Sequence, residues 1–249
     1  MANETVSYDA HDHGHNAIRL PGNVWHGQDL TVQDVPAARR VRRLRLARLL
    51  NGGLKKTLDI TGATAGMILL LPLLVAVSIA IKTTSRGPVL FRQQRYGRNG
   101  ELFTVLKFRT MHVERCDASG VAQTVENDPR LTAVGAFLRK SNFDELPQLI
   151  NVLKGDMSLV GPRPHVPGML ASGVPYEIFD PRYMDRHAVL PGITGLAQVK
   201  GFRGETRDSY AARMRLEYDL AYVRRQSVLL DVKIISVTLM KEFFMGNGY

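Results

Sequence analysis

Residues 60–81, ITGATAGMILLLPLLVAVSIAI, hold 22 positions without a charged side chain, and no other stretch limits the fold as strongly. About 20 apolar residues suffice for a helix to reach across a bilayer. A signal peptide is a poor reading, because a long polar segment comes first. A buried core helix of this length with no polar face would be unusual in a chain of 249 residues. Membrane contact is therefore the better reading. Whether the run crosses is a separate matter. Basic residues flank both ends, with Lys55 and Lys56 before it and Lys82, Arg86, Arg92, Arg95 and Arg98 after it. A spanning helix is expected to carry such residues mainly on its cytoplasmic side. Pro72, near the middle, removes one backbone donor and clashes with the preceding turn. A helix that enters, breaks at Pro72 and returns to the same face accounts for length, proline and charge together. A kinked spanning helix is the alternative that these residues leave open.

The charge just before this run belongs to the same feature. Residues 39–56 carry Arg39, Arg40, Arg42, Arg43, Arg45, Arg48, Lys55 and Lys56 without one acid, +8 of the net +10. The first 38 residues sum to −4 and residues 57–249 to +6. A basic patch attracts nucleic acid and anionic lipid alike, so its neighbours decide. Aromatic residues are not interleaved with it and an apolar run follows at once, which favours anionic membrane lipids and argues against nucleic acid. The single cysteine, Cys116, excludes a disulfide framework, a thiolate zinc finger and an iron–sulfur cluster, and points to a reducing compartment.

Four segments follow. Residues 1–38 read as a disordered polar tail, in which the alternating His11, His13 and His15 lack the fourth ligand and fixed geometry of a metal site. Residues 39–56 read as a basic interfacial anchor, 57–83 as a membrane helix, re-entrant or kinked, and 84–249 as a folded domain. That domain is expected to be α+β and compact. Short strands are expected over 88–93 and 102–111, around a turn at 96–100, and helices over 129–140, 144–153 and 209–244. The last of these is apolar enough to lie in the core or at the membrane surface.

Phosphate-binding loops, dinucleotide fingerprints, serine-hydrolase elbows and HExxH zinc sites are absent from the sequence. So is an Asp-x-Asp pair, for which Glu126-Asn127-Asp128 is a poor substitute beside Pro129. Three local features remain. In Lys107-Phe108-Arg109, strand alternation puts both cations on one face, suited to a diphosphate or simply to solvent. In Pro162-Arg163-Pro164, flanking prolines restrict the backbone at Arg163 and hold its guanidinium for bidentate contact with phosphate, unless the loop is merely rigid. In Asp144-Glu145-Leu146-Pro147, the proline places Asp144 near a helix start. There it is either an N-cap, or a carboxylate able to share a magnesium ion with Glu145 and attack phosphorus.

Taken in order, KKTLDITG, GPVLFRQQRYG, LFTVLKFRTM, ENDPRLTAVGAFLRKSNFDELPQLINVLKGDMSLVGPRP and LPGITGLAQVKGFRGE resemble the bacterial sugar transferase family. Its members are monotopic polyprenyl-phosphate phosphoglycosyl transferases. The resemblance runs from Lys55 to Tyr249. It implies a Mg2+-dependent enzyme at the cytoplasmic face of the bacterial inner membrane. Such an enzyme moves a sugar 1-phosphate from a UDP-sugar to undecaprenyl phosphate, releases UMP and initiates exopolysaccharide repeat units. It implies Asp144 as nucleophile, with Glu145 as its partner at the metal, and Arg139 as a phosphate contact. Arg163, Lys107 and Arg109 then line the nucleotide diphosphate site, and Pro191, Gly192, Ile193, Thr194 and Gly195 form a loop near the nucleotide. It also implies the helix break at Pro72.

The sequence departs from the family pattern at Ser141-Asn142-Phe143, where many relatives read Thr-Ser-Leu. Larger relatives carry a multi-span N-terminal domain, in whose place the arginine-rich segment is expected to act as an anchor. The segment Gly201-Phe202-Arg203-Gly204-Glu205-Thr206 is closer to members using UDP-glucose than to those using UDP-galactose or N-acetylated sugars. A non-catalytic membrane adaptor is the reading from another class, and an adaptor has no need of Asp144, Glu145, Arg139 and Arg163. The sequence leaves the oligomeric state open, a homodimer included.

Overall fold

The computed structural model describes residues 35–115 and 128–244, with side chains over 50–114 and 128–242. The expectations for the histidines of the tail, for Cys116, for Glu126 and Asn127, and for the arginines of residues 39–48 fall outside these. By its contacts the chain divides between Arg43 and Leu44. Of the first unit, the described part is the opening of helix α1.

Helix α1 spans Val35–Thr84 and is long and apolar enough from Leu50 to Thr84 to cross a membrane, by length and composition. Three expectations change here. Residues 35–38 are helical and not tail. The basic segment and the apolar run are one element. The helical assignment also continues through Pro72, so the proline does not end the helix. Along α1, Lys55, Asp59, Ala63, Val77 and Ile81 are buried, a spacing near the helical period that puts them on one face. Ala63, Met67 and Leu70 pack with Val105, Leu149, Val152 and Met157. Val77 and Ile81, with Leu73 and Leu74, pack with Phe108 and Leu138. The opposite face is equally apolar but uncovered, with Ile68 69%, Leu69 79% and Ile79 58% exposed.

Among the described residues that follow α1 there is no central sheet. An antiparallel hairpin, β1 (Leu90–Tyr96) with β2 (Leu102–Phe108), pairs Leu90 with Phe108 and Tyr96 with Leu102. Helices α2 (Ala133–Lys140) and α3 (Gln148–Lys154) follow. Strand β3 (Ser158–Val160) pairs in parallel with β6 (Gly192–Thr194), and β4 (Leu170–Ala171) pairs with β5 (Val174–Pro175) in a small hairpin. The short helices α4 (Tyr176–Phe179) and α5 (Leu196–Val199) precede α6 (Ser209–Arg225) and α7 (Val228–Phe244). The single helix expected over 209–244 is therefore two, separated at Gln226 and Ser227.

The expected loop at residues 191–195 is largely strand β6, seated on backbone. A Cβ at Gly192 would lie 2.0 Å from the Gly161 nitrogen, closer than any side chain tolerates. Glycine there serves the approach of two chain segments.

A polar network fixes α1 to the domain at Lys55 and Asp59. Lys55 Nζ lies 2.7 Å from Asp231 Oδ2 and donates to Ser158 Oγ at 2.7 Å and to the Val160 carbonyl at 3.1 Å. Ser158 Oγ donates to Asp59 Oδ1, which also accepts from the Leu159 N–H. The Tyr222 hydroxyl donates to Asp231 Oδ1 at 2.7 Å. Lys55, expected on the basic surface, is instead a buried cation with three hydrogen-bond acceptors.

Candidate active site

A left-handed residue creates the turn that presents the dyad. Asn142 has φ +58, a conformation that asparagine tolerates better than most side chains. It leads into a 3-10 turn, Phe143–Glu145, which Leu146 and Pro147 join to α3. Asp144 therefore sits a turn ahead of the helix, and its side chain caps nothing. The N-cap reading fails, because Pro147 occupies the cap position without a side-chain bond.

Asp144 and Glu145 are each only 7% exposed but differ in their pairing. Glu145 is fully engaged. Arg163 Nη1 donates to its Oε2 at 3.0 Å and Nη2 to its Oε1 at 2.5 Å, while Lys107 Nζ donates to Oε1 at 2.8 Å. Burial acts to raise the Glu145 pKa, but Arg163 and Lys107 outweigh it and hold the carboxyl well below the usual glutamate range. No hydrogen bond or ion pair reaches the Asp144 carboxylate from the described residues. Burial raises its pKa, and the charge of Glu145 acts in the same direction, against the opposing influence of Lys107, Arg139 and Arg163. The Lys107 pKa is in turn lowered by burial.

The cations are set by the surrounding elements. Lys107 comes from β2. The carbonyls of the Pro-Arg-Pro segment are all taken: Pro162 accepts from Gly192 N–H, Arg163 from Arg186 Nη2 at 2.6 Å, and Pro164 from Arg95 Nη1. Arg186 is itself held by Asp219. The fork of Arg163, expected to face phosphate, thus rests on Glu145 from a fixed backbone. Arg139 Nε donates to Thr110 Oγ1 at 3.0 Å.

These groups open onto a cleft of about 2340 Å3, lined by Lys107, Arg109, Arg139, Asp144, Glu145, Arg163, Ile193 and Thr194 among the expected residues. Pro191, Gly192 and Gly195 are outside its lining and belong to β6 and its ends. Arg109 lines the cleft, but Nε donates to the Pro88 carbonyl at 2.6 Å and Nη2 to that of Ser85 at 3.0 Å. The strand ends at Phe108, so the alternation expected to align Arg109 with Lys107 does not hold, and Arg109 also ties down the segment leaving α1. Thr194 bonds Thr238 of α7 across 2.7 Å. The far wall includes Gly66 and Leu70 of α1, so one cleft joins a cationic floor to an apolar helix. It exceeds the roughly 300–1,000 Å3 of a site for one small ligand.

Asn142, Arg203 and Glu242, none of them among the expected site residues, also line the cleft. The departure at Ser141-Asn142-Phe143 signalled the first and the segment Gly201-Phe202-Arg203-Gly204-Glu205-Thr206 the second.

Among the described residues no three His, Cys, Asp or Glu side chains gather as a metal site. Magnesium usually takes one or two carboxylates and completes its octahedron with water and substrate phosphate. Asp144 offers such an ion a carboxylate free of hydrogen bonds from the described residues, while Glu145 would have to share its oxygens with Lys107 and Arg163.

Comparison with known proteins gives the family. Residues 50–245 match the family model described as bacterial sugar transferase. The chain is 50% identical over 196 residues to the exopolysaccharide production protein PSS of Rhizobium leguminosarum bv. phaseoli, covering 79% of this chain and 98% of that one. It is 47% identical to an undecaprenyl-phosphate glucose phosphotransferase of Komagataeibacter xylinus, covering 78% and 37%. It is 48% identical to the UDP-glucose:undecaprenyl-phosphate glucose-1-phosphate transferase of Escherichia coli K12, covering 79% and 41%. The chain thus spans nearly all of the first relative and about two fifths of the other two. With the match running from within α1 to the end of α7, and with the dyad, its cations and the cleft all inside it, the chain belongs to the bacterial sugar transferase family.

Proposed function

We propose that this chain is a phosphoglycosyl transferase that moves a sugar 1-phosphate, glucose 1-phosphate first, from a UDP-sugar to undecaprenyl phosphate, initiating exopolysaccharide repeat units. The observation that carries this reading is the unpaired, buried carboxylate of Asp144 beside a Glu145 whose charge is already matched. An unpaired carboxylate is a nucleophile in a way that a salt-bridged one is not. The names of the relatives from Komagataeibacter and Escherichia support glucose.

An Asp144 oxygen attacks the phosphorus that bears the sugar. The bond from that phosphorus to the bridging oxygen breaks, its electron pair leaves with UMP, and a phosphosugar-aspartyl intermediate remains. Lys107, Arg139 and Arg163 surround the charge that develops. A phosphate oxygen of undecaprenyl phosphate then attacks the intermediate and frees the Asp144 carboxylate. Magnesium, held by Asp144 and Glu145, would neutralise diphosphate charge when bound. Glu145 keeps Lys107 and Arg163 in place and keeps Lys107 from quenching the nucleophile.

The cleft admits a lipid acceptor because it reaches α1. Attachment to the membrane is supported by the uncovered apolar side of that helix, and the cytoplasmic face is part of the same proposal. Lys55 and Ile81, about 39 Å apart on a straight helix, bury against the same domain, which supports both ends of the run on one side of the bilayer.

The test is a burst experiment. Purified protein with UDP-glucose and Mg2+, but no acceptor, should release UMP stoichiometric with enzyme and retain labelled phosphoglucose. Asp144→Asn should show neither and lose at least about 1,000-fold in turnover with acceptor. A full burst in that variant would remove Asp144 from the role.

A further inference from the structure

Asn142, Arg203 and Glu242 come from three separate segments and close a polar triangle on the cleft wall. Arg203 Nη2 donates to Asn142 Oδ1 at 2.6 Å and Nη1 to Glu242 Oε1 at 3.2 Å. Asn142 Nδ2 donates to both Glu242 oxygens, at 3.0 and 3.2 Å. Glu242 is exposed and the other two are half-buried, so the triangle is not part of the core.

Its frame is nevertheless rigid. Buried Arg215 donates from Nε to the Phe202 carbonyl at 2.9 Å and from Nη2 to that of Gly204. The backbone on both sides of Arg203 is clamped while its side chain reaches out. Lys241 Nζ, beside Glu242, holds the Val199 carbonyl at 2.8 Å.

The chemistry of the triangle selects its ligand. Arg203 alone would suit phosphate, but the Glu242 carboxylate beside it offsets its charge and repels a second anion. A carboxylate acceptor, an amide with both functions and a guanidinium donor together match neutral vicinal hydroxyls. Position agrees as well. Asn142 is two residues before Asp144, within about 7 Å along the chain, and the sugar is one bridging oxygen from the phosphorus that Asp144 attacks. With no donor bound, the three side chains satisfy one another, and hydroxyls would take over those bonds.

We propose that Asn142, Arg203 and Glu242 form the subsite that reads the hydroxyls of the donor's sugar and so determine which hexose is transferred, a proposal that rests on Asp144 being the nucleophile.

The experiment compares the chain with Glu242→Gln and Asn142→Gly, since glycine keeps the left-handed turn. It measures kcat/KM by UMP release for UDP-glucose, UDP-galactose and UDP-N-acetylglucosamine with undecaprenyl phosphate, and inhibition by UDP, which lacks the sugar. The ratio between the preferred donor and the next should move by roughly tenfold in at least one variant, with UDP inhibition unchanged. Equal losses for all three donors, with ratios holding within about twofold, would overturn the subsite and leave the transferase reading intact. Weakening of UDP inhibition in step with turnover would do the same. Failure of the unaltered chain with every donor would overturn both.

Discussion

Two places in this molecule bury a lysine among carboxylates, and they serve opposite ends. At the root of α1, Lys55 meets Asp231, Ser158 and the Val160 carbonyl, Asp59 accepts from Ser158 and a backbone N–H, and Tyr222 completes the shell around Asp231. Every charged group there is answered. At the dyad, Lys107 and Arg163 answer Glu145 completely, while Asp144, equally buried, is answered by none of the described residues. The first network is closed and joins elements. The second has one deliberate vacancy in its pairing and opens on a cleft. Burial of charge does not distinguish a working site from a structural one here; the unfinished pairing does.

Three substitutions test that contrast. Lys55→Met leaves Asp231 and Asp59 buried without their cation, and loss of one partner of a buried pair costs about 3–5 kcal/mol. The expected result in chemical denaturation is a loss of that order, with UMP release per folded molecule unchanged. A variant as stable as the parent would mean that the closed network holds nothing together.

Asp144→Asn should act in the reverse sense. The folded state raises the Asp144 pKa through burial, so the folded chain binds that proton more tightly than the unfolded one. The ionised form therefore costs stability at neutral pH, a cost absent below the ordinary aspartate range. Removing the charge should raise unfolding free energy by roughly 1 kcal/mol at pH 7, and the gain should vanish in acid. A destabilised Asp144→Asn would show that the carboxylate has a structural partner after all.

The smallest effect concerns pH. Glu145 stays ionised and Asp144 takes up the first proton as pH falls, so the acid limb of the UMP burst should lie above the ordinary aspartate pKa of 3.8. Glu145→Gln removes a charge that raises the Asp144 pKa and releases Lys107 and Arg163 towards Asp144. The limb of its residual burst should move to lower pH. Movement to higher pH would place the two carboxylates in the opposite order.

How far the sequence foretold this depends on whether a residue's partner is near in the chain. Asp144 and Glu145 were legible because they adjoin a proline and each other, and Arg163 because its restraint is written in its two neighbours. Lys55 looked like one more member of a basic run, since nothing near it announces Asp231. Arg109 was grouped with Lys107 by strand alternation, and the strand stops one residue short. Pro191 to Gly195 resembled a loop because glycine serves loops and close backbone approach alike. Glu242 had no signal at all, as an exposed acid on a terminal helix is ordinary until Asn142 and Arg203 are seen to reach it.

The bond between Lys55 and Asp231 closes over 176 residues. A ribosome making this chain releases α1, with its lysine and its uncovered apolar face, long before the partner in α7 exists. The apolar contacts of α1 with Val105, Phe108, Leu138 and Leu149 can form first, and closing the Lys55 network is the late event, with the slow kinetics of distant pairings. Truncation before Asp231 would leave Lys55 buried without its carboxylate partner.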